Sequence, residues 1–154
     1  MKETDVQKEV RVWQRVRQEP QTAAAPQVSE NLQGLIMEQM QVSAAYLQLS
    51  HRTGGVEATT LMRLARQSRS QAACLKGLHL LVTEEASEAR IIPVQKGTME
   101  ALLRRCYGQE LRLMKAYEKH STDPEYGPVF ERMAQRAREH CCLILELVGQ
   151  LGKR

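Results

Sequence analysis

Glu110 and His140 are the two side chains of this sequence best suited to chemistry inside a fold. Each interrupts a helical stripe of apolar residues, where a carboxylate or an imidazole is costly unless it has a partner. Two uses fit those types: ligation of a hard divalent cation, or a buried hydrogen-bonded pair. Gln39, Ser68 and Gln71 break their own apolar stripes in the same way. Gln39 stands seven residues before Tyr46, and Glu110 seven before Tyr117, so each pair shares one helix face two turns apart. Ser68 and Gln71 are spaced i, i+3, as are Ala137 and His140. Polar residues that break a core pattern are where function is expected to sit.

The stripes themselves predict the elements that carry these residues. Val6, Val10, Trp13 and Val16 mark a short amphipathic helix over residues 4–18, stopped by Pro20. Its only tryptophan, Trp13, is expected to be buried against the bundle or a second subunit, because a helix of about 15 residues is marginal alone. A Pro/Ala linker follows over 19–27, so residues 1–27 form an N-terminal segment and 28–154 the main domain. Leu32, Leu35, Ile36, Val42, Tyr46 and Leu49 define a first long helix, capped by Ser29 and ended by Gly54–Gly55. A second runs from about 56 to 86, a third from about 94 to 121 and a fourth from about 128 to 151. Four helices of roughly 25 residues with one apolar face each make a four-helix bundle. Its halves look alike: Tyr46 corresponds to Tyr117, Leu64-Ala65 to Met133-Ala134, and Gln71 to His140, as if one helical hairpin were used twice.

With those residues placed, the chain over about 29–151 resembles the ferritin-like superfamily, in particular its rubrerythrin branch. That resemblance implies two hairpins joined by a long crossover. It also implies a Glu with a Tyr seven later on helices one and three, and Glu-x-x-His on helices two and four, converging on a di-iron or di-manganese centre. Carried over position by position, Glu110 and His140 match. Gln39, Ser68, Gln71 and Ala137 occupy the other four ligand positions. Two divalent cations with a single carboxylate would leave about three positive charges uncompensated in a low-dielectric core. The resemblance therefore implies a degenerate metal site. Glu110 and His140 are expected to pair across helices three and four, with Gln39, Ser68, Gln71 and Tyr46 satisfying the remaining donors and acceptors. The competing expectation is a remnant site for a single iron, manganese or zinc ion at Glu110 and His140. Cys106 and Cys141 would lie close to it.

Composition bounds the rest. The chain has 154 residues, 42% hydrophobic and 26% charged, which is one domain's worth of foldable sequence. Aromatics are 4%, and the common residues are good helix formers, which argues against a β-sandwich or barrel. The net charge of +4 is spread along the chain, so no nucleic-acid partner is expected. No apolar run approaches the roughly 20 residues of a membrane helix, and residues 1–5 turn acidic at once, so a cytoplasmic protein is expected. Cys74, Cys106, Cys141 and Cys142 match no zinc or redox spacing and are expected to be small, half-buried hydrophobes. The function expected from all this is a non-catalytic structural or interaction protein, a homo-oligomer such as a dimer, with a possible protein partner at the N-terminal helix. The alternative is a metal-dependent oxidoreductase or peroxidase-like protein with a remodelled site.

Overall fold

The computed structural model describes residues 28–90, 93 and 96–153, and among these the regular structure is all helical. The expected N-terminal helix and linker, residues 1–27, lie outside the described residues. Four helices follow one another: α1 (Val28–Ser50), α2 (Gly55–Thr83), α3 (Met99–His120) and α4 (Gly127–Leu151).

Each helix forms where the stripes place it, and local chemistry moves the ends. α1 stops at Ser50 rather than at the glycines, because His51 and Arg52 close a turn onto the carbonyls of Gln48 and Leu49. Gly54 and Gly55 instead open α2. Gly54 is its extended N-cap, and Gly55 has a φ of 63°, a conformation that favours glycine. α2 ends three residues earlier than the periodicity suggests. Glu84 turns left-handed at φ 62° and its N–H closes onto the Leu80 carbonyl at 2.8 Å, which is the αL way of ending a helix. α3 starts at Met99, not near 94, because the extended Thr98 presents its hydroxyl to the Ala101 N–H at 3.1 Å. Between α3 and α4, Asp123 Oδ1 accepts from the N–H groups of Glu125 and Tyr126. A side chain at Gly127 would put its Cβ 2.4 Å from the Ser121 carbonyl oxygen, so that turn requires glycine.

The directions of the helices follow from their cross-links. Gln39 bonds to Ser68 and Ser43 to Ala65, so α1 and α2 are antiparallel. Tyr46 bonds to Glu110 and Tyr117 to Gln39, so α1 and α3 are antiparallel too. α2 and α3 must then run parallel, and the chain between them has to return along the bundle. At 1.5 Å per residue α2 is about 43 Å long, and the 15 residues between Thr83 and Met99 can reach roughly 50 Å. The crossover passes along α1: Ser87 Oγ donates to Gln33 at 2.7 Å, and Arg52 donates to the Gly97 carbonyl at 2.9 Å. Glu110 with His140, and Tyr117 with Phe130, make α3 and α4 the second antiparallel hairpin.

α1 packs closely on α2 and α3 on α4, whereas α2 and α4 touch least among the neighbouring helices. Leucines fill the core, with Tyr46, Tyr117 and Phe130 as its largest fully buried side chains. No described helix is long and apolar enough to cross a membrane.

Candidate functional site in the polar layer of the core

All five polar residues singled out by the apolar stripes are buried. Gln39, Ser68, Glu110 and His140 are completely inaccessible, and Gln71 nearly so. The structure joins three of them with the two tyrosines. Tyr46 donates to Glu110 Oε1 at 2.8 Å, and His140 Nδ1 donates to the same oxygen at 2.9 Å. Tyr117 donates to Gln39 Oε1 at 2.8 Å, and Gln39 Nε2 donates to the Ser68 carbonyl at 3.3 Å. Each residue and the tyrosine seven positions later share a face, yet they do not bond to one another. The bonds are exchanged: the tyrosine of α1 serves the acid of α3, and the tyrosine of α3 serves the amide of α1. That reciprocal pattern is what two similar, antiparallel helices with matched spacing produce.

His140 is fixed from both sides. Its ring stands edge-on to Tyr46, with centroids 6.3 Å apart and planes at 88°. Its Nε2 meets the side-chain amide of Gln67 at 2.8 Å. An amide can offer oxygen to an imidazolium N–H or, turned over, an N–H to a neutral ring nitrogen, so Gln67 suits both charge states. Gln67 is the member of the network that sequence reasoning missed. It sits on the half-exposed flank of α2 and resembles any surface glutamine. The signal for it was indirect: a buried imidazole needs a partner at each nitrogen, and only one was assigned.

The expected satisfaction of the remaining polar atoms is incomplete. The Ser68 hydroxyl, both amide atoms of Gln71 and Glu110 Oε2 are buried without a hydrogen-bond partner. The expectation that Ser68 and Gln71 complete the network therefore fails at those atoms. The physical reason is direction: Glu110 concentrates both its bonds on Oε1, and the Ser68 contact uses the backbone carbonyl in place of the hydroxyl.

Burial also sets the acidity of the neighbours. The Cys106 thiol is pushed up to about 12, first by burial and then by the Glu110 charge, and Cys141 to about 11 by the same two causes. Burial, reinforced by Glu110, likewise raises both Tyr46 and Tyr117 well above the ordinary phenol value. Both thiols are therefore protonated at neutral pH. Cys74 and Cys142 are exposed rather than half-buried.

A di-metal centre does not fit these residues. Ala137 fills a fully buried position with a methyl group, both His140 nitrogens are engaged, and one Glu110 oxygen is taken by two donors. Among the described residues no group of three or more His, Cys, Asp or Glu is arranged to hold a metal ion. Comparison with protein-family models, curated proteins and solved structures returns no match to this chain.

Proposed function

We propose that this is a non-catalytic structural or interaction protein, a ferritin-like bundle in which the position of a di-metal centre has become a hydrogen-bonded lock between the two hairpins. The carrying observation is Glu110 Oε1, which accepts from Tyr46 on α1 and from His140 on α4 at once. A carboxylate oxygen used in this way ties three helices together where a metal would otherwise do so. Leu80 and Leu81, adjacent and about half exposed near the end of α2, support a role in self-association or in binding another protein. The test is elemental analysis of protein purified without chelator, with light scattering on the same sample for the oligomeric state. Less than one iron or manganese per chain, together with a dimer, is the expected result. Two tightly held transition-metal ions per chain, lost together in Glu110→Ala, would overturn it.

A second reading, a metal-dependent oxidoreductase using one iron, manganese or zinc ion, is favoured by a single feature. Glu110 Oε2 is a buried carboxylate oxygen with no partner. Stoichiometric binding of one such ion, abolished in both Glu110→Gln and His140→Ala, would establish that reading.

A further inference from the structure

The seam between α2 and α4, where the helices touch least, opens into a cleft of about 340 Å³. Three arginines line it: Arg66 from α2, and Arg132 and Arg136 one turn apart on α4. No acidic residue lines it. Arg66 and Arg132 have no carboxylate partner among the described residues, and Arg136 reaches only Glu139 of its own helix, at 3.9 Å. Two guanidinium groups without a carboxylate partner and a third with only a distant one repel each other around one concavity, and an anion removes that repulsion.

A second feature of the same wall also points to a ligand. Gln71 lines the cleft, is nine-tenths buried, and leaves both its amide nitrogen and its amide oxygen unpaired. An unsatisfied buried amide is costly, and a flexible side chain recovers both bonds by turning to a bound molecule. Its nitrogen would donate to an oxyanion, and its oxygen would accept from a hydroxyl.

From this we propose that the α2–α4 cleft binds a small phosphate monoester that carries hydroxyl groups. Three guanidiniums on two facing helices suit a tetrahedral dianion, whose three terminal oxygens can be approached from several sides. A planar carboxylate is satisfied by one bidentate arginine. The volume lies at the small end of ligand pockets, which fits one sugar-sized molecule. Gln67 belongs to the same wall and holds His140 Nε2, so the bound molecule would sit one side chain away from the buried lock. The site needs no metal and does not depend on the ferritin-like reading.

The experiment uses the full chain and ribose 5-phosphate as the probe, followed by calorimetry at about 0.15 M salt, where the Debye length is about 8 Å. Saturable binding with Kd in the millimolar range or below is expected, with inorganic phosphate weaker and ribose without effect. Arg66→Gln and Arg132→Gln should each weaken binding about tenfold or more, and the combination with Arg136→Gln should abolish it. Both residues are exposed, so thermal melts of the unliganded variants should match the parent. A site-specific readout comes from Cys74, an exposed thiol on the cleft wall. The probe should slow its alkylation and leave exposed Cys142 unchanged. Several results overturn the proposal: no saturable binding, equal affinity in the arginine variants, or citrate binding as tightly as ribose 5-phosphate. Arginine-dependent binding of single-stranded RNA or of anionic vesicles without any binding of ribose 5-phosphate also overturns it, in favour of a macromolecular phosphate surface.

Discussion

His140 on α4 and Gln71 on α2 occupy corresponding places in the two hairpins, yet their surroundings differ. Both nitrogens of His140 are bonded, one to Glu110 and one to Gln67. Neither amide atom of Gln71 has a partner. The difference follows the packing. α3 supplies an acid opposite His140, and α1 supplies Tyr46 to the same oxygen. Gln71 lines the α2–α4 cleft, where α4 contributes Val129, Met133 and two arginines and no acid. Sequence similarity between two halves thus preserves positions without preserving partners. One half of the polar layer holds the bundle together, and the other leaves polar groups open.

Removing a member of the paired half should have the largest effect. His140→Ala breaks the buried pair and leaves Glu110 with Tyr46 as its one remaining donor, a loss of about 3–5 kcal/mol in urea melts. The double variant, Glu110→Leu with His140→Leu, removes both polar groups but orphans the Tyr46 hydroxyl, so it should cost about 1–3 kcal/mol, well under the sum of the single losses. Additive losses would mean that the two side chains do not act as a pair. The exchanged tyrosine bonds come next. Gln39→Leu orphans the Tyr117 hydroxyl, and about 1–3 kcal/mol of stability should be lost. Tyr117→Phe, which orphans Gln39 Oε1, should fall in the same range.

The open half should behave in the opposite sense. Gln71→Leu removes two unpaired polar atoms, and stability in urea melts should stay level or rise, by up to about 1 kcal/mol. A loss as large as that of Gln39→Leu would show that Gln71 is as well partnered as its counterpart, and the contrast would disappear.

The last expected effect is on alkaline stability. Cys106 is held at about 12 in the fold, against about 9 for a free thiol, so the folded state keeps a proton that the unfolded chain gives up. Its contribution is intact below pH 9 and is lost as pH rises toward 12. Cys141 adds to the same fall up to about pH 11. Stability measured between pH 8 and pH 10 should therefore begin to decline in the parent and decline less in Cys106→Val.

Much of this was legible in the sequence. Leu61, Leu64, Leu75 and Leu78 mark α2 by spacing alone, and all four are buried. The same spacing located Gln39, Ser68, Gln71, Glu110 and His140 in the core, because a polar residue in register with leucines has nowhere else to go. Helix ends were less legible. Thr98 and Glu84 set them through a hydroxyl and a left-handed turn, while the apolar period continues on either side. Gln67 was not legible, since a glutamine on a helix flank carries no mark of the imidazole it will meet. The buried His79 and His120 were likewise passed over. His79 is spent on the carbonyl of Glu85 at 2.9 Å, and His120 packs on Phe130, its pKa lowered by burial.

The sequence by itself determined four amphipathic helices and the polar residues their buried faces carry, because helical periodicity is local and each face must find cover. Only the tertiary structure decided which polar atoms meet. Tyr46 serves Glu110 rather than Gln39, and Arg66, Arg132 and Arg136 come to line one cleft. Those outcomes depend on the antiparallel register of separate helices, and a hydrogen bond is sensitive to offsets smaller than one helical turn.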